Sequence, residues 1–218
     1  LTTMDFSSCS LLTALPESLG QLAALTTLNL SGCSSLTELP ESMGQLTALQ
    51  TLDLKGCCAL MQLPDSAHVL ELLTENNCTK LCADKIPALA RLPESLGKLT
   101  ALTTMDFSSC SLLTALPESL GQLAALTTLN LSGCSSLTEL PKSMGQLTAL
   151  ETLNLSHCES LTGLLESTGQ LVALTALDLS ACTSLTVLPE AMGQLTRLQR
   201  MCLANCNMDL PESFGNLR

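Results

Sequence analysis

The chain of 218 residues has no Trp, no Tyr and only three Phe. Irregular cores and ligand pockets lean on large aromatic side chains, so their near absence excludes the usual ways an enzyme fills and shapes space. Cations are scarce too: 9 Lys and Arg against 20 Asp and Glu leave a formal net charge of −11. Nucleic acid and anionic membrane surfaces call for clustered basic residues, so neither is an expected partner. No apolar run reaches the roughly 18 residues of a membrane span. Only two His occur, His68 and His157, and the chain has no Gly-x-Ser-x-Gly elbow, phosphate-binding Gly-Lys-Ser/Thr loop or paired-His metal motif. No catalytic residue, cofactor or resident metal is therefore expected.

What abounds is Leu in a fixed rhythm. Leu25, Leu49, Leu102, Leu126, Leu150, Leu174 and Leu198 each open a unit of the form LxxLxLxxCxxLxxLPExxGxL, with a period of 24 residues. Nine units can be counted, the last shortened by two residues between Cys206 and Pro211. A larger duplication is superimposed: residues 1–52 and 102–153 differ only at Glu41/Lys142 and Gln50/Glu151. The offset of 101 is four periods plus five, so one unit carries an insertion, placed around residues 73–77. There "PDSAHVLELLTENN" predicts a helix with Val69, Leu70 and Leu73 on one face and Asn76 or Asn77 as its stop. The next unit opens at Cys78, with Ala83 and Ile86 in the places of the second strand Leu and the repeated Cys. The whole of 65–85 is irregular. Leu1 falls at the first position of a unit, so the chain is expected to be cut from something longer.

A unit this short cannot bury its own apolar face, whereas stacked copies bury a continuous core. The period-2 spacing within LxL predicts strands, lined up in parallel about 4.8 Å apart. Pro-Glu-Ser predicts a short helical turn, with Pro preset at its first position and Glu at its positive end. Gly20 and its equivalents are expected to let the chain turn back toward the next strand. Glu17, Glu41, Asp65, Glu94, Glu118, Glu166, Glu190 and Glu212 form a column at the turn starts. They read as helix-end and solubility chemistry, each in solvent and without a partner, rather than as an acid/base pair.

With these motifs on the page, the chain resembles the leucine-rich repeat family over its whole length. "LDLSxCxSLTxLPExxGxL" is more closely similar to the repeats of plant disease-resistance receptors of the intracellular, nucleotide-binding kind. The resemblance implies an α/β fold: one curved horseshoe solenoid over 1–218, with a parallel sheet on the concave face and short helical turns on the convex face. It also implies a non-enzymatic recognition or scaffold module for a protein partner, as the sensor region of a plant-type immune receptor. A free-standing structural or stress-related repeat protein is the alternative, with an ice-binding Thr array as one form of it.

Eight of the 12 Cys fall at one repeat position: Cys9, Cys33, Cys57, Cys110, Cys134, Cys158, Cys182 and Cys206. A buried thiol there packs as a small hydrophobe and bonds backbone groups weakly, which predicts a structural ladder. So many unpaired thiols point to a reducing, cytoplasmic compartment. Cys57, Cys58, His68, Cys78 and Cys82 crowd the irregular region without zinc-site spacing, so no metal is assigned to them. Asn29, Asn77, Asn130 and Asn154 head glycosylation sequons, read as chance products of "NLS" in the repeat.

The outward strand positions are mostly small and polar. Exceptions cluster at Lys55, Lys80, Cys82, Asp84 and Lys85 beside the insertion, and at Arg197, Gln199, Arg200 and Cys202 near the C-terminal end. Lys55, Lys80, Cys82, Asp84, Lys85, Arg197 and Arg200 are the candidate partner-binding residues. The chain is expected to be a monomer, with end-to-end association through its uncapped end units as the other open state.

Overall fold

The opening Leu of a unit, from Leu25 and Leu49 to Leu174 and Leu198, is threaded into the interior and followed by three extended residues. The computed structural model describes residues 1–75, 80–82 and 88–216. Its strands are β1 (Thr3–Asp5), β2 (Thr27–Asn29), β3 (Thr51–Asp53), β4 (Thr74–Glu75), β5 (Lys80–Cys82), β6 (Thr104–Asp106), β7 (Thr128–Asn130), β8 (Thr152–Asn154), β9 (Ala176–Asp178) and β10 (Arg200–Cys202). All except β4 occupy the repeat's strand position. Neighbours pair in parallel and in register, Thr27 against Thr51 and Leu129 against Leu153. The middle side chain of each strand turns inward: Leu28, Met105, Leu129 and Leu153 are fully buried, while their flanking residues are half-buried. Leu30, Leu36, Leu131 and Leu137 continue this interior, and one apolar core runs unbroken from Leu19 to Leu198.

The opposite side carries eight 3-10 segments, from Glu17–Gln21 to Glu212–Asn216. Pro does not occupy their first helical position, as the sequence suggested. Pro16, Pro40, Pro117 and Pro141 stand one residue earlier with ψ of 148, 143, 149 and 148°, extended rather than helical. Proline's fixed φ suits this entry residue, and its missing N–H costs nothing there.

The column of Gly beginning at Gly20 also works differently from its predicted role as a turn. The glycines with positive φ are Gly32, Gly56 and Gly133, which follow the strands. Gly20, Gly97, Gly121, Gly145 and Gly193 instead lie against the backbone of the next unit. A Cβ on Gly121 would stand 2.6 Å from the Ser143 carbonyl oxygen and 2.7 Å from the Ser143 Cβ. Glycine is required here for approach, and that approach sets how closely successive units stack.

Two further ladders tie unit to unit. The Cys33 thiol donates to the Phe6 carbonyl at 3.2 Å, Cys134 to Phe107 at 3.2 Å, Cys158 to Leu131 at 3.3 Å and Cys182 to Leu155 at 3.1 Å. The acceptor always lies 27 residues earlier, in the preceding unit. Burial raises these thiols, to about 12 at Cys134 and about 11 at Cys57, Cys110 and Cys182, with neighbouring cysteines adding to the effect at Cys57, Cys134 and Cys182. On the 3-10 side the carboxylates do have partners, contrary to the reading that each stands alone in solvent. Glu17 accepts from the Ser42 N–H at 3.0 Å, Glu94 from Ser119 at 3.1 Å, and Glu118 from Lys142 and Ser143 at 3.1 and 3.0 Å. Each carboxylate thus caps the 3-10 segment of the following unit, not its own.

The insertion interrupts the sheet but not the core. β1, β2 and β3 form a three-stranded sheet; β4 to β10 form a seven-stranded one, with β4 antiparallel to β5 at its edge. Helix α1 (Ala67–Leu72) replaces a 3-10 segment, capped by the Ser66 hydroxyl, and buries Val69 and Leu70. It ends at Leu73, itself buried, before the predicted stop at Asn76 or Asn77, which lie outside the described residues. Across the break the stack continues through Ala90 N–H to the Met61 carbonyl at 2.8 Å and Ser95 N–H to Asp65 at 2.7 Å.

Candidate functional site

The concave face carries three outward columns, and the fold uses them unequally. The third residue of most strands is Asp or Asn, and its Oδ1 accepts the N–H two residues on. Asp5 does so with Ser7 at 2.8 Å, Asn29 with Ser31 at 3.0 Å, Asp106 with Ser108 at 3.0 Å and Asp178 with Ser180 at 2.9 Å. These side chains shape the exit turn, an Asx turn at each step of the stack. The sequon residues Asn29, Asn130 and Asn154 are committed to the same turn. Asp5 is held below its ordinary 3.8 by the Ser7 backbone N–H and then by the Ser7 hydroxyl.

The Thr just before the strand is also structural: Thr26, Thr127 and Thr175 donate to carbonyls 24 residues earlier, at 3.0 Å each. The Thr that opens the strand is different. Among the described residues, the hydroxyls of Thr27, Thr51, Thr104, Thr128 and Thr152 make no hydrogen bond within the chain. They remain available to a ligand.

Near the C-terminal end this column changes character. Ala176 replaces Thr and Arg200 follows in register beside it. Where Thr would place a hydroxyl and a second methyl group there is a recess of about 230 Å³ walled by Thr152, Asn154, Asp178, Arg200 and Cys202 and floored by Leu153 and Leu177. It offers an exposed guanidinium, a carboxylate with one oxygen already engaged and a half-buried thiol around an apolar floor. That arrangement suits binding and has no base, nucleophile and acid set to work on one bond.

The predicted clusters divide. Arg200 and Cys202 share this recess, but Arg197 and Gln199 stand on the adjoining rim with Glu151. Lys55 is exposed just after β3, at the edge of the three-stranded sheet. Lys80 and Cys82 lie in β5 of the other sheet, opposite Thr104 and Asp106. Asp84 and Lys85 lie outside the described residues. Thr152, Asn154, Ala176 and Asp178 were not singled out from sequence, although Ala176 carried a signal as the break in a Thr column. Among the described residues no three of His, Cys, Asp and Glu converge to hold a metal ion. No helix there is long and apolar enough to cross a membrane.

Comparison with known proteins agrees with this geometry. The Leucine Rich Repeat family model matches residues 1–22, 24–46, 101–123 and 125–147. No sequence among curated proteins matches the chain. Among solved structures it is similar to Toll in the Drosophila Toll–Spatzle complex, at 21% identity over 93% of this chain and a TM-score of 0.59. It is also similar to a TDR receptor, at 24% identity over 100% of this chain and a TM-score of 0.55. A third is the Arabidopsis receptor kinase HAESA in complex with the peptide hormone IDA and the co-receptor SERK1, at 24%, 95% and 0.51. This chain spans 33, 37 and 39% of those three chains, well under two thirds of their length. At such identities the likeness is one of fold. The four matched stretches are leucine-rich repeats, and the chain is wound into a leucine-rich-repeat solenoid.

Proposed function

We propose that the chain is a non-enzymatic recognition module that binds a protein partner through its concave face, as the sensor region of an intracellular, plant-type immune receptor. The observation that carries this reading is the strand-opening column. On the same face the Asp and Asn that close each strand, and the Thr just before it, are engaged in turns and inter-unit bonds, while these hydroxyls, with the Arg200 recess, are left for something outside the chain. The peptide hormone in the HAESA complex supports a ligand of protein nature. The ladder of buried, unpaired thiols favours a reducing compartment. Lys55 and Arg197 would extend the surface on either side.

The test is affinity capture from source extract with three baits: the native chain, Thr128→Arg/Arg200→Glu, and a control altered on the turns after the 3-10 segments, Thr47→Arg/Thr148→Arg. A protein retained by the native and control baits and lost from the concave variant supports the reading. Retention by all three contradicts it.

The free Thr column also favours a hydroxyl array for ice as a second reading. The array is short, since Lys80, Ala176 and Arg200 interrupt the column and the sheet breaks after β3. Thermal hysteresis above that of an unrelated acidic protein is what this alternative requires.

A further inference from the structure

The flank that joins each strand turn to the next 3-10 segment departs from the repeat in two adjacent units. Residue 187 is Val where other units have the polar Glu38, Gln62, Arg91, Glu139 and Asp209 or the small Ala14, Ala115 and Gly163. Residue 165 is Leu where most other units have Pro. Leu165 keeps the same extended backbone, φ −83 and ψ 156°, so the change leaves the local fold as it is and adds an apolar side chain. Leu165 is 36% exposed and Val187 57%, so neither serves the core. Gly163 holds residue 187's place one unit earlier and has open space where a Cβ would be.

Together these departures form a strip. One recess of about 500 Å³ is lined by Leu165, Val187 and the edges of Leu164 and Leu188. A smaller one of about 120 Å³ lies on the other side of Leu165, against Leu116 and Leu140. The rim is acidic: Glu166, Glu190 and Asp209 border the first recess, Glu118 and Glu139 the second, with Lys142 as the one cation among these lining residues.

An apolar floor inside a ring of carboxylates selects one kind of occupant. We propose that this flank groove, centred on Leu165 and Val187, docks an extended segment of a protein partner in which apolar side chains alternate with Lys or Arg. The apolar side chains fill the two recesses and the cations meet the rim. This surface is separate from the concave face and does not depend on what that face binds.

The test uses a fluorescent peptide of alternating Leu and Lys, a matched peptide of alternating Ser and Lys, and titration of the whole chain. The decisive variant is Leu165→Pro/Val187→Glu, which installs residues that other units of this chain already carry. It removes the apolar centre and adds a carboxylate. The groove requires the Leu–Lys peptide to lose about tenfold in affinity to this variant, the loss of one well-buried apolar contact. Attraction to an acidic surface alone would leave affinity unchanged or tighten it, which overturns the proposal. Equal binding of the Ser–Lys peptide by the native chain overturns it as well. If circular dichroism shows the double variant unfolded, Val187→Ala and Leu165→Ala carry the same expectation, and unchanged affinity in both refutes it.

Discussion

Replacing Gly121 by Ala isolates what holds the units at their spacing. The new Cβ would stand 2.6 Å from the Ser143 carbonyl oxygen, 2.7 Å from the Ser143 Cβ and 2.8 Å from Gln146 Oε1. The Gln side chain can swing away, but the Ser143 contacts are backbone and its attached Cβ. Relief therefore requires the next 3-10 segment to retreat, and overpacking of this kind costs about 1–3 kcal/mol. Against it, Ala restricts the unfolded chain and returns roughly 0.4–1 kcal/mol. The net expectation is a loss of about 1–2 kcal/mol, or a Tm lower by roughly 2–8 °C for a domain of this size. Gly163→Ala is the internal control. Nothing lies within 4 Å of its Cβ position. Only the unfolded-state gain applies there, so it should be neutral or stabilising by up to about 1 kcal/mol. Denaturant titrations of the two variants beside the native chain measure the difference. If Gly121→Ala proves as harmless as Gly163→Ala, close approach is not what these glycines are for.

Ala181 holds a left-handed φ of 59°, where sister units place Gly32, Gly56 and Gly133. Ala181→Gly should relieve about 1–2 kcal/mol of strain and return part of it to the unfolded chain, a net gain of ~0.5–1 kcal/mol by chemical denaturation. The buried Ser119 hydroxyl has no partner among the described residues, and Ala191 fills the same place one unit C-terminal of Gly145's neighbour Ser167. Ser119→Ala should therefore be neutral or stabilising by up to about 1 kcal/mol, and a clear loss would mean the hydroxyl is bonded. In alkylation at pH 8, Cys58, which is exposed, should react fast in the folded chain, while Cys134 and Cys182, pushed up to about 12 and about 11, should wait for unfolding. Uniform labelling by mass spectrometry would contradict the ladder. Glu17 and Glu118 lie below their ordinary 4.5, Glu17 through the Ser42 hydroxyl and N–H, Glu118 through the N–H groups of Ser143 and Lys142. A lowered carboxylate stabilises the fold above its unfolded pKa and loses that contribution as pH falls through the folded one. Stability should thus decline below about pH 4.5, and Glu118→Gln should flatten that decline.

The period made the strands, the inward Leu and the thiol column readable, because each is fixed by position within a unit. Bonds between units were harder to read. A carboxylate that caps its own segment and one that caps the segment 25 residues on, as Glu118 does for Ser143, have the same sequence pattern. The Gly column suffered the same ambiguity, since a glycine kept for φ and one kept for contact are indistinguishable until the neighbour is placed. The break after β3 depended on β4 running antiparallel to β5, which hydrophobic spacing does not encode. The recess at Ala176 and the flank at Val187 were both visible as departures from the repeat. Only the structure showed that one opens a hollow and the other faces solvent.

Photo-cross-linking from single positions is the most direct test that the concave face is the recognition surface. A photoreactive side chain at Thr128 or Thr152, on that face, and at Thr47 or Thr148, on the turns after the 3-10 segments, would be irradiated in source extract. The account predicts a discrete protein adduct from 128 and 152 and none from 47 and 148. The same adduct from the turn positions, with the concave positions blank, would contradict it.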